Sequence, residues 1–389
     1  MHIAFVGCRT IPARYGGLET FVEEISTRLI DKGFQVLVTC ESDRFLEDTY
    51  KGVKRLHIPS FQSKYLTIPS LNDIIATLYL LLKHSKDLQM IYYVATDGVI
   101  AAFFAKLFKK KVVINADGIE WRRLQKRRRF ARFYWKPLYY IAQWYMSFVE
   151  ALSCKIADVM IADSFEIQKY LEKKYQTKNV VHIAYGARTL VSSDTISKDE
   201  GSILRNYGLA PNDYFLTVAR IVPENNIDME IKAFNKKVTT KKLIIVGNFD
   251  KRGPYTRYLY TLNGHNNVIF LDPIYDKKIL GILRKNCFAY IHAYEVGGTN
   301  PSLLEQMTFM KPIIAYEVPF NREVLQDGGI FIRDAEDLAF KITMIENGQF
   351  NLEKIKKVQT ERLEHEYNWD NITIKYSNFF KILYKGNFH

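Results

Sequence analysis

The sequence has few cysteines and no long hydrophobic run, and both shortages limit the classes of protein it can belong to. Its four cysteines, Cys8, Cys40, Cys154 and Cys287, are scattered through 389 residues without the spacing of a metal site or a disulfide framework. No apolar stretch approaches the roughly 18 to 20 residues of a membrane span. Residues 2–6 resemble a buried strand rather than part of a signal peptide. We therefore expect a cytoplasmic protein, either soluble or attached to a membrane surface.

The sequence also lacks the short patterns that mark many cofactor sites. It has no D-x-D motif and no cluster of histidine and cysteine, so a catalytic metal is not expected. Its first strand and helix are joined without the G-x-G-x-x-G pattern of a dinucleotide site. We therefore predict that the protein works without a metal or another cofactor.

What the sequence does contain is an alternation of apolar strands and amphipathic helices. The alternation starts at residue 2, is interrupted by a polar, turn-rich stretch at 191–201, and restarts at residue 214. A chain of 389 residues, of which 48% are hydrophobic, is long enough for two domains, each with its own core. We predict two doubly wound α/β domains, at 1–190 and 191–369.

Positive charge and aromatic rings are concentrated in one stretch, which we call the basic-aromatic segment (residues 122–148). Lysine and arginine outnumber aspartate and glutamate by 55 − 42 = 13. Eight basic residues lie within 122–136, nine aromatic residues lie within 130–148, and no acidic residue lies within 121–149. A basic balance of this kind suits nucleic acid, an anionic membrane surface or a phosphorylated ligand.

The composition of this segment favours a membrane interface, where aromatic rings lie at headgroup depth and arginines meet anionic lipid. We predict membrane contact by Arg127, Arg128, Arg129, Trp135 and Trp144. One alternative is RNA binding, in which the rings stack on bases. Another is a core helix with a solvated basic end. No recognised RNA-binding module accompanies the segment, so no nucleic-acid partner is expected.

A glycine pair near the C-terminal end of the second domain has the setting of an anion site. Gly297 and Gly298 lie between an apolar run at 287–291 and a predicted helix start at 301–305. Glycine lets a phosphate approach the backbone, and the unpaired N–H groups of a helix start face it. Glu305 could then accept hydrogen bonds from a ribose, and Glu295 could face a sugar. The same pattern also fits an ordinary strand-to-helix turn with a solvated glutamate.

Two loops of the first domain carry candidate acceptor-binding residues. Asp117 follows the predicted strand at 111–115, and ligands of open α/β sheets lie at such strand ends. A carboxylate there could orient or deprotonate a hydroxyl group, and it could equally cap the helix that follows. Arg9 and Arg14 could meet phosphate or remain solvated loop arginines.

Four separated motifs, in the same order along the chain, resemble one enzyme family. They are RYGGLETF (14–21), DGIEW (117–121), ARIVPENN (219–226) and EVGGTNPSLLE (295–305). Together they resemble the family-4 retaining glycosyltransferases, most closely the bacterial branch that transfers rhamnose in cell-wall and capsular polysaccharide assembly. The resemblance implies the GT-B fold, with two Rossmann-like domains facing a cleft. It also implies that a C-terminal helix, within 370–389, returns to the N-terminal domain.

The resemblance assigns roles to residues of this chain. Arg220 neutralises the donor diphosphate; the lysine usual five residues later is Asn225 here, a variant of the rhamnosyltransferase branch. Glu305 matches the second family glutamate, whereas Gly297 occupies the position of the first and Glu295 lies two residues earlier. The implied donor-binding residues are Gly16, Gly17, Arg220, Asn225, Asn226, Gly247, Ile274, Tyr275, Glu295, Gly297, Gly298, Thr299, Asn300 and Glu305. The implied acceptor-binding residues are Arg9, Arg14, Tyr15, Asp117, Glu120 and Trp121. Asp117 and Arg220 are the catalytic candidates.

We therefore expect a retaining rhamnosyltransferase that uses dTDP-rhamnose as the donor. The expected acceptor is a lipid-diphosphate-linked sugar at the inner face of the plasma membrane, which the basic-aromatic segment would contact. One alternative is the same chemistry with UDP-glucose, UDP-galactose or UDP-GlcNAc. A more distant one is a non-catalytic nucleotide- or RNA-binding protein on a similar scaffold, which would bind RNA in a salt-dependent way and leave sugar nucleotides intact.

Overall fold

The computed structural model describes residues 1–13, 16–60, 69–187, 200–236, 238–264 and 267–386. The chain divides into two compact units. The first unit comprises Met1–Glu120, Trp144–Gly186 and Asn368–His389, and the second comprises Trp121–Gln143 and Ala187–Tyr367.

The described residues form strands and helices in close alternation. The strands are β1 His2–Val6, β2 Gln35–Ser42, β3 Leu46–Tyr50, β4 Val53–Pro59, β5 Leu88–Tyr93, β6 Lys111–Ala116, β7 Val159–Ala162, β8 Val180–His182, β9 Tyr214–Val218, β10 Lys242–Val246, β11 Val268–Leu271, β12 Ala289–His292, β13 Ile313–Tyr316 and β14 Ile330–Ile332. The helices are α1 Gly17–Asp31, α2 Pro69–Lys83, α3 Val99–Leu107, α4 Glu120–Arg128, α5 Lys136–Ile156, α6 Phe165–Tyr175, α7 Glu200–Asn206, α8 Ile227–Phe234, α9 Pro254–Leu262, α10 Lys277–Asn286, α11 Pro301–Met307, α12 Pro319–Leu325, α13 Ala335–Glu346, α14 Leu352–His365 and α15 Trp369–Tyr384. Short 3₁₀ turns lie at Thr96–Gly98, Phe133–Trp135, Pro223–Asn225 and Gln326–Gly328.

The first unit is built on a sheet with the strand order β3-β4-β2-β1-β5-β6-β7-β8. All of its neighbouring pairs are parallel except β3 with β4, which are antiparallel across the tight turn at Lys51 and Gly52. Residues 3–6 of β1 are completely buried, as expected for a strand covered by helices on both faces.

The last helix, α15, belongs to the first unit and closes its core with aromatic side chains. The Tyr376 hydroxyl lies 3.2 Å from that of Tyr92 on β5, and Phe380 packs on the same Tyr92 ring. At the start of the helix, Trp369 lies directly over Gly186. The burial of these large rings holds the chain terminus on the sheet.

The second unit is built on a sheet with the strand order β11-β10-β9-β12-β13-β14, and all of its pairs are parallel. Its core joins apolar residues of the strands, such as Phe215 and Ile291, to the inner faces of the helices, such as Ile231 and Phe234 of α8. The two sheets confirm the predicted pair of Rossmann-like α/β folds.

One stretch groups differently from the sequence-based division at residue 190. That division assigned residues 121–143 to the first domain, whereas the structure groups Trp121–Gln143 with the second unit. The physical reason is a set of side-chain contacts. Phe130 packs on Tyr255 and Tyr258, with ring centroids 4.8 and 5.4 Å apart, and two basic residues of α4 pair with glutamates of the second unit.

All four cysteine side chains are buried thiols. Of the helices that the structure describes, none is both long enough and apolar enough to cross a bilayer.

The contact between Gly186 and Trp369 predicts a large effect of a small substitution. A Cβ atom at Gly186 would lie 2.4 Å from the Trp369 ring, so Gly186→Ala must displace the start of α15. We expect a loss of about 1 to 3 kcal/mol in the free energy of unfolding, measured by urea denaturation. The matched control is Gly201→Ala at an exposed position of α7, where the new Cβ would meet only the flexible end of Arg205. Equal stability of the two variants would contradict the proposed packing.

Candidate active site

The carboxyl ends of β9 and β12 bring the predicted donor residues of the second unit together. These strands are neighbours, and parallel strands end at one edge of a sheet. Arg220 follows β9 and has an exposed side chain. The Arg220 backbone and the Asn300 side chain both hydrogen-bond to the hydroxyl of Tyr294, which follows β12. Burial raises the pKa of Tyr294 to about 12, so this hydroxyl stays protonated and neutral.

The two asparagines after Arg220 fix the loop that carries it. The Asn225 amide donates to the Arg220 carbonyl oxygen at 2.7 Å, and the side chain is buried. Asn226 has a left-handed backbone conformation with φ of 50°, and its amide donates to the carbonyl oxygen of Ala293 at 3.0 Å. Both side chains, which were predicted to bind the donor, therefore have partners within the protein in this structure.

Glu305 lies beside a deeply buried arginine that the sequence analysis did not select. The Arg284 side chain is 1% exposed and lies 3.4 Å from the Glu305 carboxylate. The same guanidinium donates to the hydroxyl of Ser302 at 2.8 Å and to the side-chain oxygen of Gln306 at 3.2 Å. A planar guanidinium with several fixed acceptors orients the carboxylate it contacts. Arg284 thus holds the first turn of α11 and the position of Glu305.

Helix α4 forms one ion pair with each of the loops that follow β9 and β12. Lys126 pairs with Glu295, which also accepts a hydrogen bond from Asn226 at 3.3 Å. Arg127 donates to Glu224 through Nε at 2.9 Å, and the Glu224 side chain is only 1% exposed. Glu295 therefore has a lysine and an amide as partners in this structure, where the sequence predicted a sugar.

The glycines of the site differ in how much space surrounds them. A Cβ atom at Gly247 would lie 2.4 Å from the carbonyl oxygen of Ala219, so glycine is required there for close packing. At Gly297 the nearest atom would be 4.0 Å away, on Arg123, which leaves room for a ligand. Gly298 and the side chain of Thr299 are buried.

The remaining donor candidates border the same strand ends. Asn300 caps α11 by accepting from the Ser302 N–H at 2.9 Å. Ile274 and Tyr275 follow β11, and Tyr275 is 64% exposed. His292, at the end of β12, stacks on Tyr294 with ring centroids 4.4 Å apart. Burial lowers the pKa of His292 to about 3, so its ring is neutral.

The glycine pair of the first unit begins α1. Gly16 has a positive φ of 104°, and the Glu19 carboxylate lies where a Gly16 side chain would be; Gly17 is the first residue of the helix. Burial raises the pKa of Glu19, and the positive charge of the exposed Arg9 opposes that rise. Arg14 and Tyr15 lie outside the described residues.

Carboxylates gather at the ends of β5 and β6 in the first unit. Asp117 follows β6 and is partly buried. Asp97 lies in the 3₁₀ turn after β5 and was not selected from the sequence. Burial is the main cause that raises the pKa of Asp97 to about 6, and the charges of Asp117 and Glu120 add to it. Trp121, the last predicted acceptor residue, groups with the second unit.

The predicted membrane residues divide into two groups. Arg127 pairs with the buried Glu224, and the Arg128 guanidinium lies 3.9 Å from the centre of the Tyr140 ring. Arg129, Trp135 and Trp144 are exposed, the two tryptophans by 51% and 69%. Arg127 therefore has a buried partner within the protein in this structure, and its contact with lipid stays a prediction.

Two stretches of the chain match known protein families. Residues 205–362 match the family described as glycosyl transferases group 1, and residues 1–188 match a domain of unknown function, DUF1972. An uncharacterized glycosyltransferase of Methanocaldococcus jannaschii is 25% identical, and the alignment covers 95% of each chain. The O-antigen chain mannosyltransferase RfbU of Salmonella typhimurium is 24% identical over 53% of this chain and 56% of its own.

Solved structures share the fold of this chain. Sucrose-phosphate synthase from Thermosynechococcus elongatus superposes with a TM-score of 0.79 at 16% identity, covering 99% of each chain. HepE of Anabaena in complex with UDP-glucose gives a TM-score of 0.72 at 16% identity, covering 98% of this chain and 99% of its own. The chain is a GT-B glycosyltransferase. The predicted fold and enzyme class are thereby confirmed.

Three functional candidates of this glycosyltransferase were not selected from the sequence, and they differ in whether a sequence pattern could have identified them. Tyr294 lies inside the glycine motif and could have been found from its position beside Glu295. Asp97 lies in the turn that follows β5, and a position after a strand is the signal that selected Asp117. Arg284 gave no signal, because an arginine near the end of the amphipathic helix α10 is normally solvated.

The raised pKa of Asp97 predicts a pH-dependent stability. The folded chain holds this proton more tightly than the unfolded chain, whose aspartate pKa is about 3.9. The free energy of unfolding should therefore fall as the pH rises from about 4 to about 6. Asp97→Asn cannot ionise and should gain about 2 kcal/mol over wild type between pH 4 and pH 7.5. Urea denaturation at both pH values measures the gain.

Asp87→Asn is the matched control for this experiment, because Asp87 is exposed on the same unit. If the gain of Asp97→Asn between the two pH values is no larger than that of Asp87→Asn, the Asp97 carboxylate does not titrate as the structure indicates.

Proposed function

We propose that this glycosyltransferase moves rhamnose from dTDP-rhamnose to a lipid-diphosphate-linked sugar, with retention of configuration. The observation that carries the proposal is the arrangement at the ends of β9 and β12, where the exposed Arg220, the open Gly297 and the Arg284-oriented Glu305 belong to one strand edge. A nucleoside diphosphate sugar offers a matching set of groups: two phosphates, a ribose and a sugar.

The proposed chemistry depends on charge stabilisation. Breaking the bond between sugar and phosphate leaves negative charge on the diphosphate, and a fixed guanidinium with backbone N–H groups stabilises that charge. Arg220 and the amides near Gly297 take this role. Glu305, held by Arg284, accepts hydrogen bonds from the ribose. On the acceptor side, Asp117 orients the hydroxyl that attacks. We also propose that no metal takes part.

The choice of rhamnose is supported by the motif ARIVPENN. In this chain the expected lysine is Asn225, whose amide supports the Arg220 loop, so only one cation of the usual pair is kept at this strand end. Among the relatives, one is a mannosyltransferase and one of the solved structures contains UDP-glucose. A UDP-hexose donor is therefore the competing proposal, and a transfer assay separates the two.

A membrane-bound acceptor is supported by the surface of the basic-aromatic segment. Phe133 is 86% exposed, and Trp135, Ile141 and Trp144 are more than half exposed. Exposed aromatic and apolar side chains beside arginines are favourable at the headgroup level of an anionic membrane. We propose that the enzyme works attached to the cytoplasmic face of the plasma membrane.

The first experiment is a transfer assay read by mass spectrometry. dTDP-rhamnose, UDP-glucose, UDP-galactose and UDP-GlcNAc are offered separately with lipid-diphosphate-GlcNAc or its glucose counterpart, with and without EDTA. We expect product only from dTDP-rhamnose and no effect of EDTA. Product only from a UDP-sugar would overturn the rhamnose assignment, and loss of product in EDTA would overturn the metal-free mechanism.

The role of Arg220 is tested with the donor that this assay identifies. Arg220→Ala should lower kcat by about 100- to 1,000-fold, because it removes a donor that stabilises the leaving diphosphate. Arg333→Ala, which removes another exposed arginine of the second unit, is the control and should keep wild-type turnover. Near-normal turnover of Arg220→Ala would exclude the assigned role.

Membrane attachment is tested by co-sedimentation with liposomes that contain anionic lipid. Substituting serine for Phe133, Arg129 and Lys136, which are all exposed, should release most of the protein, since each basic residue near the surface contributes about 1 kcal/mol. Serine at the exposed Lys173 and Lys178 removes the same charge elsewhere and should leave binding unchanged. Equal binding of both variants would argue against attachment through this segment.

A further inference from the structure

The second unit contains an open pocket that has no part in the proposed transfer reaction. The pocket has a volume of about 530 Å³, which is within the range of roughly 300 to 1,000 Å³ typical of small-molecule sites. It lies between α4, the 3₁₀ turn at Phe133–Trp135, α5 and the start of α9. One wall is apolar and includes Leu124, Trp135, Leu138 and Ala142.

The lining of the pocket is also positively charged. Arg132, Arg252 and Arg257 line it. Arg132 donates to the hydroxyl of Tyr134 at 2.8 Å, which leaves its charge without a carboxylate in that contact. Arg252 pairs with the exposed Asp250 at 3.1 Å. The Arg257 guanidinium forms no ion pair with any residue that the structure describes. The three arginines thus carry more positive charge than the local acid neutralises.

The helix that begins at the pocket, α9, adds to the positive electrostatic potential there. Helix α9 begins after Gly253, which provides no capping side chain, and its first turn contains no acidic residue. The positive end of the helix dipole is therefore directed toward Pro254 and its surroundings at the pocket. An anion near Arg257 gains from both the guanidinium and the helix end, and the charge pattern is complementary to a phosphate.

The rim of the pocket belongs to the exposed aromatic surface. Tyr134 and Trp135 line the pocket and are 63% and 51% exposed, and the neighbouring Phe133 is 86% exposed. A ligand in this pocket contacts both the apolar and aromatic groups and the exposed arginines. Inorganic phosphate would leave the apolar wall in contact with water, whereas a neutral lipid would leave the charges of Arg132 and Arg257 without an anionic ligand.

We propose that this pocket binds one molecule of an anionic phospholipid. The phosphodiester lies at Arg132 and Arg257, near the start of α9, and part of one acyl chain lies along the wall formed by Leu124, Trp135 and Leu138. The site differs from the general attraction of a basic surface to a membrane, because it recognises a single lipid by headgroup charge and chain together. It does not depend on the donor, the acceptor or transfer activity.

The test measures binding of a short-chain phospholipid below its critical micelle concentration, in the absence of vesicles and nucleotides. Isothermal titration calorimetry compares dihexanoyl phosphatidylglycerol, dihexanoyl phosphatidylcholine and inorganic phosphate with the full-length protein. We expect saturable one-to-one binding of phosphatidylglycerol, and at least tenfold weaker binding of the other two. Phosphate that binds as tightly as phosphatidylglycerol would reduce the pocket to an anion site and overturn the proposal. Equal binding of phosphatidylcholine, or no saturable binding, would also overturn it.

Variants locate the site within the protein. Replacing Arg132 and Arg257 together by glutamine should weaken binding of phosphatidylglycerol at least tenfold, and Leu138→Ser should weaken it through the apolar wall. Arg333→Gln, an exposed arginine of the same unit that does not line the pocket, should bind as wild type does. Thermal unfolding of each variant controls for folding. If Arg333→Gln weakens binding as much as the double variant does, the interaction is with overall positive charge and the pocket assignment fails.

Discussion

The ion pair between Arg127 and Glu224 is the constraint on which much of the second unit depends. Glu224 is 1% exposed, and a buried carboxylate without a cation would cost several kcal/mol. Arg127 meets this need through two of its nitrogen atoms. The pair therefore fixes α4 beside the loop that follows Arg220. Because the Glu295 N–H also donates to the Glu224 carbonyl oxygen at 3.0 Å, the same contact links α4 to the glycine loop.

This arrangement divides the basic-aromatic segment into two parts with different contacts. In the first part, Lys126 and Arg127 form ion pairs with Glu295 and Glu224 in the loops after β12 and β9. The later part has exposed rings and lines the arginine-containing pocket. Composition alone treats all of its basic residues as equivalent. The structure distinguishes them by their partners. Arg127 pairs with the buried Glu224, Arg128 lies over the Tyr140 ring, and Arg129 is exposed on the surface.

The sequence was informative wherever one local pattern determines the structure. Continuous apolar runs predicted β1, β6, β9 and β12, and the residues after such strands included Arg220 and Asp117, because parallel strands place their ends at one edge. The antiparallel pair β3 and β4 was not predicted. In the structure the two strands are joined by a turn in which Lys51 and Gly52 both have positive φ. A local sequence pattern cannot predict which residues distant in sequence will contact each other. Glu305 contacts Arg284 and Glu224 contacts Arg127, and no spacing rule connects residues that lie 21 or 97 positions apart.

The route of the chain through the two units has a consequence for dissecting the protein genetically. Each unit is assembled from separate stretches: the first needs Asn368–His389, and the second needs Trp121–Gln143. A single cut near residue 190 would remove the Trp369 and Tyr376 side chains from one fragment and leave Glu224 of the other without Arg127. Neither product would be a complete unit. Independent folding of either unit would therefore require a fragment that joins its separate stretches of sequence.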